Sequence, residues 1–301
     1  MLIYPRLKKL ASYETKRVIL LITLSFVIIS YGSFAPNASA QTRVLVFKEH
    51  GEDFRTMPLE KLKKLIPPLK VDVLGPYESQ EREYIGFPLN QLLTTVYGNR
   101  WKHVDHILFT CEDGYQASIP TKSFIRFSAY LVYDRADNKE FKLIDKAHGD
   151  ELVRLGPFYL IWDDIKFPEV RKIGAHWPYQ ITTIDLIDFS RRFPRTAPPA
   201  NSSQDVKSGF SFFQTYCMSC HAVNGEGGKK ARDLNYPVNV TEYFKEPWLR
   251  KWINNPRDIS YNSTMPALDP NAKDRERIIE NIISYLKAMK DYKYKPETRD
   301  N

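Results

Sequence analysis

Cys217-Met218-Ser219-Cys220-His221 is the stretch on which the reading of this 301-residue chain turns. It closes a segment in which Val206, Phe210 and Phe213 form one apolar stripe, behind Ser202-x-x-Asp205, a capping pair. Downstream, Trp248, Leu249, Trp252 and Ile253 repeat at helical spacing and stop at Asn255-Pro256. Ile278, Ile279, Ile282, Ile283, Leu286 and Met289 then give the clearest amphipathic helix of the chain. Three helices and long loops in roughly 95 residues make a small core, which gains from something large and apolar to fold around.

Working toward the N-terminus, Arg195-Thr196-Ala197-Pro198-Pro199-Ala200-Asn201-Ser202-Ser203 has no periodicity and two adjacent prolines. Such a segment reads as an extended, stiff connector between two domains. Ahead of it, short apolar and β-branched runs at 44–47, 71–74, 106–109 and 158–162 read as strands. The alternation in 180–187 reads as a half-buried strand, and Leu89, Leu92, Leu93 and Val96 predict a helix over 89–97. This half is α+β.

At the start of the chain, Arg6, Lys8, Lys9, Lys16 and Arg17 precede the apolar run 18–29, and Ala38-Ser39-Ala40 follows. A basic region, an apolar region and an Ala-x-Ala site make residues 1–40 a signal peptide. An uncleaved membrane anchor is the alternative, since weakly apolar residues continue to Ala35. Either way the rest of the chain is expected outside the cytoplasm, in the periplasm. Without the leader, 39 basic residues face 35 acidic ones. Neither half is basic enough to suggest nucleic acid as a partner. Three cysteines in an exported chain are too few for a disulfide framework, so each needs its own explanation.

Two of them have one. Cys-x-x-Cys-His is the pattern of c-type haem attachment: both thiols bind the macrocycle and the adjacent His ligates iron. A thioredoxin-like pair would follow a strand, whereas this motif ends a helix. A zinc knuckle would need further Cys or His ligands, and none follows His221. Only Met265 and Met289 remain downstream to fill the sixth position of iron. Met289 lies on the apolar stripe of the last helix, as a packed core residue would. Met265 sits in the turn-rich Asn262-Ser263-Thr264-Met265-Pro266, from which a thioether can reach the face opposite His221. His/Met ligation fills both axial sites and suits electron transfer. A packed or surface Met265, with water or nothing on the iron, is the alternative.

Residues 203–292 resemble a class I cytochrome c domain. Gly209, Phe213 and Cys217 stand four apart, as on the family's first helix, and Tyr285 and Leu286 resemble its partners on the last. Asn254-Asn255-Pro256 and Thr264-Met265-Pro266 also look like bacterial members. There is one departure. Where the family often has Gly-Pro before an Asp-Leu pair, with a backbone carbonyl that orients the proximal His, this chain reads Ala231-Arg232-Asp233-Leu234.

Residues 68–188 resemble, by order and spacing, the small molybdopterin-binding domain of the sulfite oxidase fold family. The resemblance rests on Tyr84-x-Gly86-x-Pro88-Leu89, Cys111-x-x-Gly114-Tyr115, Ala129-Tyr130-Leu131 and Gly156-Pro157. It implies Cys111 as a molybdenum ligand; a buried free thiol is the plainer alternative. The domain is short for a catalytic member. No set of Arg, His and Lys residues stands out to hold a pterin phosphate, and His103, His106, His148 and His176 are scattered.

The expected organisation is therefore a signal peptide at 1–40, a molybdopterin-oxidoreductase-like domain without cofactor at 41–194, a linker at 195–202, a cytochrome c domain at 203–292 and a tail at 293–301. One fold is α+β and sulfite-oxidase-like, the other all-α. The expected function is a periplasmic one-electron carrier with one haem c, more a carrier than a catalyst, whose first domain docks a redox partner protein. A molybdenum-dependent oxidoreductase passing substrate electrons to its own haem is the alternative. A haem-based sensor or a subunit of a larger complex is a third reading.

Overall fold

The computed structural model describes residues 43–76, 81–145, 151–171, 175–270 and 272–294. The leader at 1–40 lies outside them, as do His148 and residues 295–301. Among the described residues no helix is long and apolar enough to cross a membrane.

The first half is sheet-rich. In chain order it contains β1 (Val44–Glu49), β2 (Glu52–Pro58), α1 (Leu59–Leu65), β3 (Leu69–Val73), β4 (Arg82–Pro88), α2 (Leu89–Tyr97), β5 (His106–Cys111) and β6 (Gln116–Pro120). There follow α3 (Thr121–Arg126), β7 (Ala129–Arg135), β8 (Lys142–Asp145), β9 (Glu151–Arg154), β10 (Tyr159–Trp162), β11 (Ile181–Ile187) and α4 (Phe189–Arg192). One sheet has the order β2-β1-β11-β5-β6 and a second the order β10-β7-β4-β3. Every pairing in them is antiparallel except β1 with β11. The helix expected at 89–97 is α2, and it buries Leu89, Leu92, Leu93 and Val96 as its 3.6-residue spacing demands. Phe47, Phe87, Phe109 and Trp162 are fully buried in the shared core.

The second half is helical, with α5 (Gln204–Tyr216), α6 (Val240–Tyr243), α7 (Glu246–Asn254) and α8 (Arg275–Met289). A small hairpin of β12 (Ala222–Val223) and β13 (Glu226–Gly227) interrupts the all-α expectation. The cap of α5 is Ser203 rather than Ser202: its Oγ accepts from the Val206 N–H at 3.4 Å. The crossing of α5 and α8 centres on Gly209, where a Cβ would fall against the Asn281 carbonyl. Only glycine permits that approach, and it brings Phe210 and Phe213 onto the Tyr285 ring, each with centroids 5.3 Å apart. Phe213 and Tyr285 are fully buried, worth about 2–3 kcal/mol each.

The junction between the halves is not free chain. Pro194–Thr196 forms a 3-10 turn in which Thr196 is buried. Tyr285 Oη donates to the Thr196 carbonyl at 2.6 Å, and Asn224 Nδ2 donates to that of Arg195 at 3.0 Å. The Arg195 N–H donates to Glu226 Oε2 at 2.7 Å. The first residues of the expected linker are thus clamped to the helical half. Leu108 of β5 and Ile187 of β11 in turn join the helical half's apolar cluster with Phe213 and Met218.

Candidate haem site

Cys217 is the C-cap of α5, and the chain goes on turning beyond it. Its N–H donates to the Phe213 carbonyl at 2.9 Å, Cys220 N–H to the Cys217 carbonyl at 3.1 Å and His221 N–H to the same oxygen at 2.9 Å. Both thiols and the imidazole are thereby carried on one backbone turn. Cys217 and Cys220 are half-buried free thiols. Burial pushes Cys217 up to about 12 and Cys220 up to about 11, so both are protonated at neutral pH.

The loop that follows is folded back onto this turn. Gly228 N–H donates to the Met218 carbonyl at 2.8 Å and Ala231 N–H to that of Cys220 at 2.9 Å. Gly227 has φ +121°, and a Cβ there would stand 2.6 Å from the His221 carbonyl oxygen, so the turn and the loop touch backbone to backbone. Asp233 accepts from the N–H groups of Gly225 (2.6 Å), Asn235 (2.7 Å) and Tyr236 (2.8 Å). Three buried asparagines continue the scaffold. Asn235 donates to Asn224 Oδ1 at 2.8 Å, and Asn239 donates to Asn235 Oδ1 at 2.7 Å and to the Leu286 carbonyl at 2.8 Å.

This scaffold sets the tautomer of His221. Its Nδ1 lies 2.8 Å from the Arg232 carbonyl, which can only accept, so Nδ1 carries the proton. Nε2 keeps its lone pair for a metal. Burial lowers the His221 pKa, which favours that neutral form. The Arg232 carbonyl thus makes the contact that the Ala231-Arg232-Asp233-Leu234 departure had put in question. A backbone acceptor needs position rather than side-chain identity.

Met265 stands on the loop between α7 and α8 and is half-buried. Trp252 Nε1 donates to its Sδ at 3.1 Å, and Ser263 Oγ accepts from its N–H at 3.3 Å. Leu249 and Ile253 of α7, with Leu268 beyond the loop, are buried in the same cluster as Cys217 and Leu234. Val238, Tyr243, Trp248, Ile259 and Tyr261 of this half are large apolar side chains left exposed. A thiol pair at a helix end, an imidazole with Nε2 free, an oriented thioether and unpaired apolar surface are what a haem with two axial ligands requires. The residues fit the group.

Residues 206–290 match the family model for cytochrome c. None of the curated proteins compared with the chain matches it. The helical half thus carries a cytochrome c domain, a haem-binding electron carrier with the haem attached covalently. Cys217, Cys220, His221 and Met265 all fall inside the matched range.

Cys111 belongs elsewhere. It ends β5 with 5% of its surface exposed, within the core of the sheet half. Burial holds its thiol well above the usual range. Its neighbours have another part: the turn Cys111–Tyr115 rests on the outer face of the cytochrome c turn. Gln116 N–H donates to the Ser219 carbonyl and Lys229 N–H to that of Gly114, both at 2.8 Å. Lys230 Nζ pairs with Asp113 Oδ2 at 2.8 Å. Tyr115 Oη lies 3.0 Å from His176 Nδ1, which is also 3.5 Å from Ser219 Oγ. In the sequence His176 is one of four scattered histidines, and no local pattern announces a hydrogen-bond partner 43 positions away.

Proposed function

We propose that this chain is an exported periplasmic one-electron carrier with a single haem c, held by thioethers at Cys217 and Cys220 and ligated by His221 and Met265. The observation that carries the reading is the Nδ1–H of His221 on the Arg232 carbonyl, which reserves Nε2 as a ligand. The haem supplies the reversible one-electron couple. Cys217 and Cys220 would hold the haem, His221 and Met265 would ligate its iron, and Trp252, which donates to Met265 Sδ, would orient the thioether. The first half, whose sequence resembles the sulfite oxidase fold family, serves as a cofactor-free docking module for a redox partner protein. Buried Cys111 supports a role without molybdenum.

Purified full-length protein is expected to give the pyridine haemochrome of thioether-linked haem, one per chain. A product from which acid and organic solvent extract all the haem would refute covalent attachment. Metal analysis that finds one molybdenum per chain, lost in Cys111→Ser, would overturn the docking role.

A further inference from the structure

Between the two halves lies a cavity of about 240 Å3 that none of the four haem-site residues lines. One wall is β6, where a two-residue period puts Gln116, Ser118 and Pro120 on the same side. The opposite wall is the cytochrome c helix end, with Thr215, Met218 and Ser219. Ser123, Gln214, His106 and His176 add further polar groups to the lining, and Phe127, Trp162 and Phe189 add aromatic ones.

Three features of the lining define an occupant. Among the described residues that line it there is no Asp, Glu, Lys or Arg, so nothing neutralises an ion. Burial brings His176 down to about 4, and that imidazole is uncharged at neutral pH. Hydrogen-bonding capacity is left over: Ser118 Oγ is buried with no partner. His106 Nδ1 is buried without an aligned one, although Asp105 Oδ1 stands 3.3 Å off. Buried polar atoms in that state are costly unless something fills the space and pairs with them. A dry apolar cavity of about 150 Å3 accepts benzene, so this one has room for a ring with polar substituents.

We propose that the cavity is a binding site for an uncharged, single-ring aromatic molecule bearing hydroxyl or carbonyl oxygens, of the phenol and quinone class. Its aromatic walls take the ring, and Ser118 and His106 pair with the oxygens. Met218 and Ser219, which lie between the two haem cysteines, form part of its wall. The site thus lies against the haem-bearing turn from the side of the sheet.

The test is calorimetric titration of the full-length holo-protein with phenol and resorcinol, and with benzoate as a charged probe of the same ring size. Phenol and resorcinol are expected to saturate one site per chain with Kd near or below about 1 mM, and benzoate to bind at least about tenfold more weakly. Ser118→Ala is expected to weaken resorcinol by about two- to tenfold, and Ser123→Leu, which fills the cavity, to abolish binding. An unchanged haem spectrum, together with an unchanged far-UV circular dichroism spectrum and melting of the sheet half, certifies that both variants are folded. No saturable heat from either phenol means a cavity that holds water only and overturns the proposal. Equal binding of benzoate, or binding indifferent to both substitutions, overturns it too.

Discussion

Gly209→Ala separates helix propensity from helix packing, because the two predict opposite signs. On an isolated helix the change stabilises by about 1 kcal/mol. Here the new Cβ would stand 2.5 Å from the Asn281 carbonyl carbon and 2.9 Å from Tyr285 Cβ. Carbon atoms pack at about 3.5–4.0 Å, so α5 and α8 must part by about 1 Å. The backbone of Asn281 cannot rotate away as a side chain does. A gap of that size forfeits a quarter to a half of each dispersion contact, and it opens beside the buried rings of Phe213 and Tyr285. Overpacking of this kind costs about 3 kcal/mol. In a chain of this size that lowers Tm by about 6–12 °C. Thermal melts of the holo-protein followed at 222 nm and at the Soret band measure it. A Tm for Gly209→Ala equal to or above the wild-type value would refute the close crossing and the packing argument built on it.

Met265→Ala is expected to lower the reduction potential, open an axial position and change the ferric spectrum; an unchanged spectrum would remove Met265 from the ligand set. Asp233→Ala deletes the acceptor of three loop N–H groups and is expected to cost about 2–3 kcal/mol in chemical denaturation, whereas a loss under about 0.5 kcal/mol would show that the loop holds without it. His176, depressed to about 4 by burial, binds its proton more readily when unfolded. Its contribution is complete above the unfolded pKa of about 6.5 and is lost as pH falls from there toward 4. His106, also lowered by burial, acts in the same direction and remains in the His176→Gln variant. That variant is therefore expected to show a shallower, though not flat, fall of Tm over this window, and an identical slope would refute the assignment. Native Cys111 is expected to resist iodoacetamide at pH 8 and to react on unfolding, as mass spectrometry of the peptide reads out; rapid native alkylation would contradict its burial.

Helices α2, α5, α7 and α8 were legible because each puts a continuous apolar stripe on one face, and Asn255-Pro256 marked the end of α7. The haem turn was legible because its chemistry is local, five residues in a fixed order. What escaped had a physical reason in each case. The β2 sequence Glu52–Pro58 has one buried residue and no alternation to read. The β6 sequence Gln116–Pro120 turns small polar side chains toward the cytochrome c domain instead of solvent, so its polarity does not signal exposure. Periodicity showed that β5 and β11 were partly buried, but not that Leu108 and Ile187 would meet Phe213. The acceptor for His221 is a main-chain carbonyl, which every residue carries and no sequence advertises. The resemblance of the first half drew attention to Cys111, Gly114 and Tyr115, and it carried no sign that their turn also contacts the cytochrome c domain.

The hydrogen bond from Gln116 N–H to the Ser219 carbonyl has a consequence for how the chain is made. β6 is the last strand on its side of the sheet, so its outward main-chain groups are an open template for adding another strand. The cytochrome c turn that blunts this edge is synthesised about a hundred residues later and takes its own form around the haem. Until then the sheet half carries an uncovered edge and an uncovered Leu108. Chains that never receive haem are therefore the ones exposed to edge-to-edge association. Completion of the redox centre and protection from aggregation are, in this protein, the same event.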